Sequence, residues 1–331
     1  MRRIFFLLPC FCLAILSSCT VFHGSSTNFL ETNTRFRYHS DVIVTINAST
    51  DDGSSVKKEA LLIFFALPNG NSTVWTFGKI KAPSEDWHFD VQHIGAQTRF
   101  LRVMMPDREI ITVYLEAAGK SWPQWRSKHA DNPALIRALI DTVASLYQNR
   151  RTSIMLSGHS GGGGLLFGYL NGADSIPVNI SRIAFLDADY GYDDSLHHGD
   201  KLAEWLRRDS GHALTVFAYN DSIALYNGKP FVSPTGGTWY RTKKMLQRLQ
   251  QDFLFTVDSL EGIERYRALS GRITIWLKEN PERAIYHTVQ VEKNGFIESV
   301  CAGTALEGCG YTYFGERAYV PFMDSDSLAV Y

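Results

Sequence analysis

The sequence predicts an α/β fold built on a mostly parallel, doubly wound sheet. Segments rich in β-branched and aromatic residues alternate with segments of helical apolar spacing through most of the chain. One strand-like segment, "EALLIFFAL" from Glu59 to Leu67, is apolar almost throughout, as a strand buried on both faces must be. Another, "TSIMLS" from Thr152 to Ser157, stops at a glycine-rich junction before a second apolar run with a different rhythm.

The first residues stand apart from that pattern. Arg2 and Arg3 form a short basic start, Ile4 to Leu16 are almost wholly apolar, and small residues follow. This is a secretory signal, too short and wrongly flanked to span a membrane. Its end, Leu16-Ser17-Ser18-Cys19, resembles the bacterial lipobox. The resemblance implies a signal peptide of residues 1–18 and acyl chains on Cys19, which would anchor the protein stably in an envelope membrane. Residues 19–35 then read as a lipidated N-terminus and polar tether, and 36–331 as one domain with no internal repeat. A net charge of −1 argues against a nucleic-acid surface. Of five cysteines, Cys301 and Cys309 alone fall in the domain, where an oxidising compartment would let them pair.

Within the domain, "DVIVTI" (41–46), Glu59–Leu67 and "IITVYLEA" (110–117) read as the first strands. "DNPALIRALIDTVASLYQ" reads as a helix: Asp131 or Asn132 can cap it and Pro133 suits its first turn. Leu135, Leu139, Val143 and Leu146 recur at helical spacing. The strand Thr152–Ser157 leads through the glycines into another helix. "SRIAFLD" ends a strand at Asp187, and "DKLAEWLRR" is amphipathic through Leu202, Trp205 and Leu206. "ALTVFAY" is a further strand, "RTKKMLQRLQQDF" a helix with Met245, Leu246, Leu249 and Phe253 inward, and "RITIWL" the closing strand. In such sheets ligands collect beyond the carboxyl ends of the strands.

One of those ends carries Gly158-His159-Ser160-Gly161-Gly162, a G-x-S-x-G nucleophile elbow in the required strand, turn and helix setting. To stand a serine hydroxyl above the sheet edge, the backbone must be strained, and side chains two positions either side would collide. Glycine is therefore needed there. An inert serine in a glycine-rich connection would satisfy the pattern but not explain its placement.

With this elbow the chain resembles the α/β-hydrolase superfamily, from about Val42 to Phe296. The resemblance implies a nucleophile after the fifth strand, an acid after the sixth or seventh, and a histidine after the eighth. Ser160 fits the first position. After Ser160 come His197, His198, His212 and His287, and only His287 follows the last strand. His159 leaves the turn in another direction and supports the elbow. For the acid, Asp187 ends the sixth strand and Asp221 follows the seventh; the first is favoured and the second stays open. An oxyanion hole would use the N–H of Gly161 and one from "LPNGNST", where Pro68 has none and Asn69 or Gly70 is the donor.

Other signals are weaker. "DADYGYDD" (187–194) gathers four carboxylates without the spacing of a calcium loop. Trp75, Trp87, Trp122, Trp125 and Trp239 are spread over connections, as pocket lining or as packing. The function expected is a lipid-anchored serine hydrolase acting on an envelope-associated or small-molecule ester, with no cofactor. A peptidase or amidase of the same fold and a non-catalytic binding lipoprotein are the alternatives.

Overall fold

A computed structural model describes residues 29–39, 41–50, 58–325 and 328. The signal segment, Cys19 and the tether through residue 28 lie outside the described residues. Among the described residues no helix is long and apolar enough to cross a membrane.

The described residues form twelve strands: β1 (Glu31–Tyr38), β2 (Val42–Ser49), β3 (Glu59–Ala66), β4 (Arg108–Ala117), β5 (Thr152–His159), β6 (Ile180–Leu186), β7 (Ala213–Tyr219), β8 (Leu225–Tyr226), β9 (Lys229–Pro230), β10 (Thr256–Leu260), β11 (Ile263–Ala268) and β12 (Ile273–Lys278). β8 and β9 make a small ribbon of their own. The rest form one sheet in the order β1-β2-β4-β3-β5-β6-β7-β12-β11-β10. From β4 to β12 neighbours are parallel. The outer pairs on both flanks are antiparallel. The fold is α/β with a mostly parallel central sheet.

Each parallel crossover needs a return path, and the helices supply it on both faces. α1 (Thr73–Phe77) and α2 (Ile94–Met104) lie between β3 and β4; α3 (Trp122–Lys128) and α4 (Asn132–Ser145) between β4 and β5. α5 (Gly163–Asn171), α6 (His198–Arg208), α7 (Thr238–Leu249), α8 (Val289–Glu292) and α9 (Gly295–Cys301) follow. β3 shows why its sequence is apolar throughout. Leu62 and Phe64 join the core with α3 to α7, while Leu61, Ile63 and Phe65 join the core with α2 and α9. The buried face of α4 is Ile136, Leu139, Ile140 and Val143. It is turned slightly from the expected stripe, and Leu146 is exposed beyond the helix end.

The ordered sheet begins earlier than the expected domain boundary at 36. β1 takes up the end of the predicted tether, pairing antiparallel along β2 from Glu31↔Ser49 to Tyr38↔Val42. The reason is tertiary: the Glu31 carboxylate accepts from Arg99 at 2.6 Å and from Arg102 at 2.8 Å, both on α2. No disulfide joins Cys301 and Cys309; Cys301 is buried in the second core, where burial pushes its thiol up to about 12.

Candidate active site

The chain leaves β3 to place β4 on one side, then returns to place β5 on the other. The crevice at that switch point is where an open α/β sheet binds ligands. Asn69 follows β3 there and Ser160 follows β5.

Ser160 opens a single 3-10 turn, Ser160–Gly162, that runs into α5. Its φ of +54° is a left-handed conformation that non-glycine residues rarely adopt. Such strain costs about 1–3 kcal/mol and persists only where the surroundings over-determine it. The surroundings here are close. A Cβ on Gly161 would overlap the Asn69 side chain, one on Gly162 the carbonyl oxygen of Ala66, and one on Gly163 that of Ala188. The glycine tract is thus wedged between the chain leaving β3 and the chain leaving β6.

Asp187 is the first residue after β6, also with positive φ, at +48°. It is fully buried, and its two oxygens are both engaged. Oδ2 accepts from His287 Nδ1 and Oδ1 accepts from the hydroxyl of Thr238. His287 lies in the turn after β12, with its side chain 24% exposed. Its ring packs against that of His159 at 4.6 Å between centroids and near that of Tyr190 at 6.3 Å. His159 is buried. Burial and the neighbouring His287 hold its pKa well below the ordinary histidine value, so it is neutral. Its Nε2 donates to the His287 carbonyl oxygen at 3.1 Å.

Asp221 follows β7 and does not reach the imidazole. Its Oδ2 accepts from the Thr238 N–H at 2.9 Å, while Oδ1 is buried without a partner among the described residues. Burial, and then the charge of Asp187, push its carboxyl up to about 6. Asp189 is driven well above the ordinary carboxylate range by burial, although Thr242 donates to it at 2.8 Å. Asp193 accepts from the Ser195 N–H at 2.8 Å and Asp194 from the Tyr192 hydroxyl at 2.7 Å. The four carboxylates of 187–194 are therefore dispersed among separate partners.

The two proposed donors after β3 differ. The Gly70 N–H is spent on the Lys120 carbonyl at 2.8 Å. Gly70 is corrected as an oxyanion donor: its positive φ of +79° serves the turn alone. The N–H groups of Asn69 and Gly161 have no partner among the described residues. Both residues line a cavity of about 560 Å³ with Ser160, Pro123, Arg126 and Tyr190. None of the seven tryptophans lines it; Trp122 and Trp125 are core residues, and Trp75 and Trp87 stack on either side of His88.

Sequence reasoning passed over Thr238, Tyr190 and Arg126. Thr238 had a readable signal, since Gly236-Gly237-Thr238 marks the start of α7 three residues before the expected one. Gly237 is required because a Cβ there would overlap the Asp221 carboxylate. Tyr190 and Arg126 had no local signal.

No family model and no curated protein matches the chain. Among solved structures it is similar to a thermostable esterase at 14% identity and TM-score 0.43, over 76% of this chain but only 55% of that one. It is also similar to a mutant of the feruloyl esterase module from Clostridium thermocellum, complexed with sinapinate, at 10% identity and TM-score 0.44, over 83% and 94% of the two chains. A third is the siderophore hydrolase EstB from Aspergillus nidulans, at 11% identity and TM-score 0.40, over 83% and 95%. No residue's role rests on these likenesses.

Proposed function

We propose that the protein is a lipid-anchored serine hydrolase of the cell envelope that cleaves a carboxylic ester through an acyl-enzyme. The observation that carries the reading is the bond between buried Asp187 and half-buried His287, set at the same sheet edge as a serine held in a strained left-handed turn.

Ser160 Oγ attacks the ester carbonyl carbon as its proton passes to Nε2 of His287. Asp187 fixes the tautomer by accepting from Nδ1 and stabilises the imidazolium that forms. Negative charge gathers on the former carbonyl oxygen, where the N–H groups of Asn69 and Gly161 are unspent and available. Collapse breaks the bond to the leaving alkoxide, which takes the proton from Nε2. Water then repeats the sequence against the acyl-enzyme and releases the acid. His287 Nε2 takes each proton, from Ser160 and then from water, and returns it, to the leaving alkoxide and then to Ser160 Oγ.

The experiment is labelling of the full chain with a fluorophosphonate probe, followed by peptide mapping and turnover of an ester panel. Labelling should fall on Ser160, and Ser160→Ala should lose both label and turnover. Strong hydrolysis by folded Ser160→Ala protein would move the chemistry elsewhere. Turnover of amides in preference to esters would replace the ester substrate but leave the nucleophile.

A further inference from the structure

Arg126 lies on α3 and lines the cavity beside Ser160. Apart from the Tyr190 phenol, it is the only ionisable side chain among the described residues that do so. A guanidinium has five N–H donors. Two are spent on neutral acceptors: Nε on Asn132 Oδ1 at 2.9 Å, and Nη1 on the Gly164 carbonyl at 3.1 Å. Asn132 is itself fixed, donating to the His129 carbonyl at 2.8 Å. The arginine is thereby held in one orientation, and three of its N–H groups have no acceptor among the described residues. No carboxylate among the described residues pairs with it. Its pKa is lowered by burial alone, with no nearby acid to offset the loss.

Several half-buried arginines are paired with carboxylates, while Arg137, Arg182 and Arg272 spend their donors on backbone carbonyls away from that cavity. Arg99 and Arg102 share Glu31, and Arg317 bridges Asp90 and Glu292. A half-buried cation without a counterion is costly unless something charged completes it. Here the residue with the unfilled donors is one that lines the cavity holding the proposed nucleophile.

We propose that Arg126 is an anion-recognising specificity residue, and that the ester cleaved at Ser160 carries a carboxylate besides the scissile bond. The inference rests on Ser160 being the nucleophile and deepens that reading by naming the substrate class. A guanidinium fixed by neutral partners offers the remaining N–H groups as a planar fork, which suits a carboxylate better than a lysine would.

The test uses para-nitrophenyl half-esters of succinate and glutarate against their neutral methyl-capped counterparts. A second arm puts the carboxylate on the leaving group, as para-carboxyphenyl butanoate against phenyl butanoate. The native protein should favour the charged ester in one arm by about 10- to 100-fold in kcat/KM, the range of a charge-assisted hydrogen bond. Arg126→Gln should carry that ratio toward one, and Arg126→Lys should keep part of it. A native protein that shows no preference for the charged ester in either arm overturns the proposal, whatever the variants do. So does a folded Arg126→Gln protein that keeps the native ratio.

If the protein turns over no ester at all, the reading of Ser160 fails first. Binding then decides the anion site separately. Calorimetry with Ser160→Ala protein and the monoamide of glutaric acid should show binding that is lost in the Ser160→Ala, Arg126→Gln double variant. No binding by the single variant, or equal binding by both, overturns the anion site.

Discussion

His159 and His287 lie ring against ring, and the first donates its Nε2 proton to the main-chain carbonyl of the second. The residue just before the proposed nucleophile thus grips the backbone of the proposed base across the sheet edge. The two histidines are 128 positions apart in sequence, so the elbow and the loop after β12 are coupled directly.

That coupling predicts a defect with a particular signature. His159→Leu removes the donor, at a cost of about 1 kcal/mol in stability from the lost hydrogen bond. Turnover should fall about tenfold, because imidazole placement within about 0.5 Å matters to proton transfer. His159→Gln, which keeps a donor, should recover part of it. Equal kcat values for the two variants would remove His159 from any positioning role.

Asp187 and Asp221 are separated by what they touch. Asp187→Asn should lower kcat by roughly 10⁴ in folded protein, as a wrong-tautomer change does. Asp221→Asn should lower it far less, because its contacts run to Thr238 and not to the imidazole. Steady-state kinetics of both, beside circular dichroism, checks the assignment; reversed results would assign the acid to the residue after β7.

The same Asp221 carries a pH signature. Its folded-state pKa is raised, to about 6, so the native state holds a proton that the unfolded chain releases near its ordinary value of about 4. The stability it contributes is present in full below that ordinary value and is lost as pH rises through about 6. Asp221→Asn should therefore gain on the native protein between about pH 4 and pH 7, by on the order of 2 kcal/mol. Denaturant midpoints across that range measure the difference, and a constant gap would contradict it.

Cys19 lies outside the described residues, and its expectation is chemical. The mature protein should partition into detergent with acyl groups on Cys19, and Cys19→Ser should release it from the membrane fraction. Mass spectrometry that finds an unmodified mature N-terminus at another residue would exclude the anchor.

The central strands and the elbow were legible in the sequence because each has a cause that acts locally. β3 is apolar on both faces, and the glycines at 161 to 163 meet backbone atoms or a side chain that leave no room for a Cβ. His287 was found by chain order alone. α2 was not legible, because its buried surface includes Gln97, Thr98 and Arg99. Their polarity hides the helical stripe, and only the fold supplies their partners: Val291 for Gln97, Thr112 for Thr98 and Glu31 for Arg99. The β10–β11 hairpin was missed for a similar reason. Its strands are short, and the Asp258–Arg265 pair that ties them lies across the turn.

β1 has a bearing on where an anchor would join the domain. It runs antiparallel to β2, which runs antiparallel to β4, so β1 points the same way as β5. Glu31 consequently sits at the amino-terminal rim of the sheet, the opposite rim from Ser160. Between Cys19 and Phe29, the first described residue, a backbone of this length can reach at most about 35 Å. A lipid on Cys19 would therefore join the domain through the rim away from the proposed nucleophile, by a segment that can reach about as far as the sheet is deep.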